Sequence, residues 1–206
     1  MSGVERRHAS AGARVRMVRQ DRAAGWGCTS SRREPLTLRR FEMATSLDCT
    51  QQFPGSPAEV LAMLRDPAYV AAKAERTGAF DIEVAVEERP DGGVTISCTR
   101  SMPAEVPSYA TAFVGEHLTI TEVQQWSALS PDGTASAEVS VDFHAPLDYV
   151  GTITLSASAG GTALVNRGRF KASVPFVGGK VERVAAEMTE KYLAKEAEVG
   201  TAWLAN

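Results

Sequence analysis

The sequence lacks an apolar run of the roughly 18 residues that a membrane-crossing helix needs, and its N-terminus has no apolar signal core. A cytoplasmic protein is the expectation. Cysteine is scarce: Cys28, Cys49 and Cys98 are an odd number, without a CxxC pair or a Cys/His cluster. That argues against a disulfide framework and a structural zinc site, and predicts reduced thiols. Of three histidines, only His117 and His144 fall where strand patterns occur, and neither adjoins a nucleophile. Both read as surface residues. No two ligands stand at a diagnostic spacing, so no metal and no cofactor are expected. Gly178-Gly179 lacks the lysine spacing of a phosphate loop and reads as a tight turn. Internal repeats are absent.

What is present divides in two. The 206 residues carry a net charge of -3, but residues 1–42 hold ten arginines against four acids, a surplus of six positive charges. The remaining 12 basic and 21 acidic residues carry -9. Residues 1–42 are rich in Arg, Gly, Ala and Ser and have no strand alternation, so they are expected to be a disordered basic extension. Three readings stay open for it: a nucleic-acid arm, a transit peptide, or a stretch upstream of a true start at Met43. The last is favoured, because Met43 stands directly before the first strand pattern. For 43–206 no nucleic-acid partner is expected.

From Met43 the pattern is regular. Leu47, Cys49, Gln51 and Phe53 mark the inner phase of a first strand. Ser56-Pro57-Ala58-Glu59 has the form of a capping box, and Asp66-Pro67 repeats a helix start, so two short helices should follow. Phe80, Ile82, Val84 and Val86 then alternate with polar residues, and the Pro90–Gly93 turn leads to Val94, Ile96 and Cys98. Around Tyr109 to Phe113 one helical turn is expected. Two more hairpins run from Leu118 to Phe143 and from Tyr149 to Val174. Finally Val177, Val181, Val184, Met188, Tyr192, Val199 and Trp203 recur at helical spacing, predicting a helix from Val177 to Asn206 with one apolar stripe. Arg167, Arg169 and Lys171 form a positive row on the last strand, which Glu83 and Glu87 could offset.

Phe53-Pro54 with Ser56 to Val60, the strand ending Gln124-Gln125-Trp126, Gly151-Thr152, and Val174 to Glu182 carry a resemblance. With the element order, they make residues 43–206 resemble the START-like, SRPBCC superfamily, also called birch-pollen-allergen-like or polyketide cyclase-like. Within it the chain looks like an uncharacterised actinobacterial family. The resemblance implies an α+β helix-grip fold: a seven-stranded antiparallel sheet wrapped round a long C-terminal helix, with two short helices after the first strand. It also implies an apolar cavity between sheet and helix. These motifs are structural, and fold does not fix function.

Period-two counting places polar residues on the inner face. Arg100 follows Val94, Ile96 and Cys98; Glu122 and Gln124 share phase with Leu118, Ile120 and Trp126; Asn166 shares phase with Leu164 and Phe170. Val184, Met188 and Tyr192 would line the helix side, or complete an ordinary core. Arg100, Glu122, Gln124, Trp126, Asn166, Phe170, Val184, Met188 and Tyr192 are therefore the expected cavity residues. The leading reading is carriage of a small hydrophobic molecule, such as a lipid, polyketide or isoprenoid, without chemistry. The alternatives are a cyclase or aromatase using Arg100, Glu122 or Asn166, and a filled-core protein acting through protein partners.

Overall fold

The computed structural model describes residues 44–104 and 116–205. Strand β1 (Thr45–Phe53) is followed by helices α1 (Pro57–Leu64) and α2 (Pro67–Arg76), then strands β2 (Phe80–Glu88), β3 (Val94–Pro103), β4 (His117–Trp126), β5 (Ala135–Asp142), β6 (Leu147–Ser158) and β7 (Gly161–Ala172), and finally helix α3 (Gly178–Leu204). The basic segment 1–42 and the expected helical turn near Tyr109–Phe113 lie outside the described residues.

Local chemistry sets both short helices. The Glu59 backbone N–H donates to Ser56 Oγ at 3.4 Å, and the Ser56 backbone N–H donates back to Glu59 Oε2 at 2.8 Å, the reciprocal bonds of a capping box. At α2, Asp66 Oδ1 accepts from the Ala68 N–H at 2.8 Å, and Pro67 occupies the first turn, where a missing N–H costs nothing.

The strands form one sheet in the order β1-β7-β6-β5-β4-β3-β2, every pairing antiparallel. Its edges, β1 and β2, do not pair with each other. The circuit closes instead through the helices, because α3 packs on β1 and β7 while α2 packs on both α3 and β2. Strand register aligns the inner side chains in transverse rows. One row runs Cys98, Glu122, Val141, Tyr149, Phe170; the next runs Ile96, Gln124, Val139, Gly151, Gly168. The phenol end of Tyr149 lies over that glycine pair: a Cβ built on Gly168 would sit 2.4 Å from Tyr149 Oη, and one on Gly151 2.6 Å from it. This accounts physically for Gly151 within the Gly151-Thr152 motif.

Helix α3 turns the expected stripe toward the core and cavity, but its most buried positions are others. Its buried positions are Glu182, Ala186 and Gly200, while Val184, Met188 and Tyr192 are only half-buried. Small residues bring the helix backbone close to β1, and the larger ones splay aside. Gly200 is the tightest point, where a Cβ would fall 2.4 Å from Cε1 of the buried Phe53 ring. The Glu182 carboxylate fixes the other end. It accepts from the Ala172 N–H at 2.9 Å and the Thr45 N–H at 3.1 Å, joining the helix to the end of β7 and the start of β1. Val177, expected inside the helix, is its N-cap.

Two further expectations change. Phe80, placed inside by alternation, is 37% exposed: a register shift between Phe80 and Glu83, with Asp81 at φ 50°, turns it outward against the His117 ring. Glu83 and Glu87 do not offset the positive row, because β2 and β7 lie far apart in the strand order. Arg167 pairs instead with Asp48 on neighbouring β1, at 3.0 Å.

Alanine at an exposed helical glycine gains about 1 kcal/mol from backbone entropy. At Gly200 the sign should invert. Overpacking against Phe53 is expected to cost Gly200→Ala about 1–3 kcal/mol in urea unfolding, and an unchanged or raised midpoint would contradict the close approach.

Candidate functional site

Because α3 docks along β1 and β7, its backbone does not close over the inner faces of β3 to β6, and a cavity of 190 Å³ remains there. By the measure of one water per roughly 15 Å³, that is room for about a dozen such positions. All nine residues expected from the sequence border it. Their environments differ.

Along the inner face of β4, alternate residues form a hydrogen-bonded relay. Trp126, fully buried, donates its indole N–H to Gln124 Oε1 at 2.8 Å, and Gln124 Nε2 donates to Glu122 Oε1 at 2.6 Å. Arg100 on β3 completes it, donating to Glu122 Oε2 at 3.0 Å. The spacing follows from strand geometry: residues two apart share a face, and Cys98, two before Arg100, sits opposite Glu122 in register.

A second ion pair joins the helices across the cavity. Lys73 of α2 lies 3.0 Å from Glu196 of α3, with side-chain exposures of only 12% and 14%. Tyr69, one turn before Lys73, donates from its hydroxyl to the Glu196 backbone carbonyl at 3.4 Å and packs edge-on against Trp203. The residual exposure of Arg100 and Glu122, 14% and 15%, is likewise at the cavity wall.

Burial alone would lower the Lys73 and Arg100 pKa values. Nearby carboxylates reverse this, Glu196 and then Glu122 for Lys73, Glu122 chiefly for Arg100, and both end above their ordinary values. Burial raises the Glu122 carboxyl pKa, but the charges of Lys73 and Arg100 and the bonds from Gln124 and Arg100 outweigh it and hold it well below 4.5. Tyr149 is pushed up to about 12, by burial first and the Glu122 charge second.

Asn166 is committed elsewhere. Its Nδ2 donates to Gln51 Oε1 at 3.1 Å, and Gln51 Nε2 donates to the Leu193 carbonyl of α3 at 2.8 Å, so this pair ties sheet to helix. Phe170 is buried under the Tyr149 ring, with centroids 4.7 Å apart. Val184, Met188 and Tyr192 form the helix side of the wall. His117 and His144 are exposed; His144 Nε2 lies 3.1 Å from Thr121 Oγ1 on the outer face.

Lys73, Glu196, Gln51, Tyr69 and Tyr149 were not among the expected site residues. The signals existed. Lys73 falls four after Tyr69 and three after Val70, on the buried face of α2, and Glu196 falls four after Tyr192 on the cavity side of α3.

A sequence family described as "Protein of unknown function (DUF2505)" matches residues 48–204. An uncharacterized protein of Mycobacterium tuberculosis (strain ATCC 25618 / H37Rv) is 25% identical over 175 residues, covering 80% of this chain and 99% of its own. An uncharacterized Mycobacterium bovis protein shows the same figures. Among solved structures, a protein from Thermus thermophilus matches with a TM-score of 0.52 at 14% identity, over 77% of this chain and 98% of that one. The Zhui aromatase/cyclase from Streptomyces sp. R1128 matches with a TM-score of 0.51 at 13% identity, over 77% and 92%. At such identities the likeness is one of fold. That fold is the START-like helix grip implied by the sequence, and the mycobacterial relatives agree with an actinobacterial family.

The Glu122 carboxylate makes stability acid-sensitive in a definite direction. Its folded pKa is lowered, so the unfolded chain takes up the proton first; the stabilisation is present above about pH 4.5 and fades as pH falls toward the folded value. Chemical denaturation below about pH 4.5 should show a shallower pH slope for Glu122→Gln than for the wild type. Equal slopes would mean that this carboxylate gains nothing from Arg100 and Lys73.

Proposed function

We propose that this chain, which belongs to the DUF2505 family, binds a small hydrophobic molecule in the cavity between α3 and the sheet. The observation that carries the reading is the cavity itself. Its wall is mostly aliphatic and aromatic, with a few convergent polar groups at one end, the usual composition of a small-molecule site. The open volume beside Met188 and Tyr192 counts against the filled-core alternative.

The Arg100–Glu122 cluster and the likeness of fold to an aromatase/cyclase raise a second reading, in which these groups polarise a carbonyl. A general acid or base works best with a pKa near the working pH. Mutual pairing moves Glu122 down and Lys73 and Arg100 up, away from neutrality. This favours binding over proton transfer.

No helix among the described residues is long and apolar enough to cross a membrane. The cytoplasmic placement expected from the sequence belongs to the same proposal, as does carriage rather than turnover of the molecule. Native mass spectrometry of protein purified from its own cells should find a retained hydrophobic molecule of unaltered structure; a chemically converted one would support the cyclase reading. Val184→Phe, which fills the helix side of the cavity, should abolish ligand-induced thermal shifts while holding or raising the melting temperature of the empty protein. A ligand shift that survives this substitution would place binding elsewhere.

A further inference from the structure

The geometry points to a ligand with an uncharged, hydrogen-bond-accepting head, such as a ketone or alcohol oxygen, seated between the Lys73–Glu196 and Arg100–Glu122 pairs with its apolar body toward Leu118, Phe143 and Leu147. The inference rests on the proposed cavity-binding function and names the chemistry of its ligand.

The described wall carries four ionised side chains, two cations and two anions, and they are matched one to one at 3.0 Å. Each charge is also coupled to the other pair, Lys73 to Glu122 and Arg100 to Glu196. Every fully buried side-chain nitrogen and oxygen among the described residues has a partner. A carboxylate or ammonium head would arrive as a fifth charge with no counter-ion among the described residues, and an unpaired buried charge is strongly disfavoured.

A neutral oxygen meets no such conflict. Lys73 has three N–H donors and Arg100 five; the ion pairs use one each, and Arg100 also bonds the Cys98 side chain. Tyr149 adds a hydroxyl on the same wall, over the Gly151–Gly168 pair and within range of the Glu122 charge. The spare N–H groups of Lys73 and Arg100 can only donate, so the ligand atom that meets them is an acceptor.

Orientation follows from register. Gln124 and Trp126 lie on one side of Glu122 along β4, whereas Ile120 and Leu118 lie on the other, beside Met102 of β3. The cavity is thus polar at the Glu122 end and aliphatic beyond Ile120.

The test uses the full chain and four probes of similar length: decanol, methyl octyl ketone, decanoate and decylamine, measured by isothermal titration calorimetry at neutral pH. The wild type should bind the alcohol and ketone about tenfold or more tightly than either ion. Comparing variants cancels what the alkyl chain contributes. Glu196→Gln leaves Lys73 unpaired, so the decanoate-to-decanol affinity ratio should rise by about tenfold; Lys73→Met leaves Glu196 unpaired and should raise the decylamine-to-decanol ratio similarly. Ratios that stay fixed in whichever variant folds, or wild-type binding of decanoate as tight as that of decanol, would overturn the head-group inference and leave the hydrophobic cavity standing. Failure of all four probes to bind the wild type would overturn the cavity reading and this inference with it.

Discussion

Everything about the cavity depends on how closely α3 can approach β1. Gly200 lets the helix backbone rest on the Phe53 ring, and Ala186 keeps the same face thin nearer the N-terminal end. Glu182 and Gln51 then tie that face to backbone groups: Glu182 accepts from β1 and β7 N–H groups, and Gln51 donates to a helix carbonyl. These bonds hold the helix along one edge of the sheet. The backbone of a 27-residue helix docked this way does not also close over β3 to β6. The empty space follows from where the helix is anchored, because packed interiors otherwise close such gaps.

The charges in the cavity follow a related logic. Two isolated ions of either sign would face a desolvation penalty that their position could not repay, and four arranged as neighbouring opposite pairs largely offset one another. The cost is still there, and a well-packed aliphatic cluster would serve stability as well or better. What the cluster provides is a polar surface fixed in place. Gln124 is held by Trp126, Glu122 by Gln124 and Arg100, and Glu196 by Lys73, so the side chains facing the open volume have little rotamer freedom left to lose on binding.

Much of this was legible in the chain because its signals were local. The capping box at Ser56, the Asp66-Pro67 helix start and the alternation that puts Arg100, Glu122 and Gln124 on one face each depend on spacing along a single element. Phe80 misled because a bulge at Asp81 shifts phase within its own strand, and nothing in the residue pattern marks it. The helix stripe pointed to the right side of α3 but not to its closest contact. Hydrophobicity identified the valines, Met188 and Tyr192 as the covered face, whereas close packing against a sheet selects for smallness, and Gly200 scores as a helix breaker on any propensity scale.

Lys73 and Glu196 show where one-dimensional reading stops. Each stands on an otherwise apolar helical face, a pattern that alone reads as a long side chain snorkelling to water. They become a site only when α2 and α3 are known to meet at that level, and when β4 is known to present Glu122 from the opposite wall. A single buried lysine on an amphipathic helix is thus ambiguous, and so is a single glutamate. Two of opposite sign, on helices whose apolar faces must share one small core, are better read as partners, since neither can be buried alone.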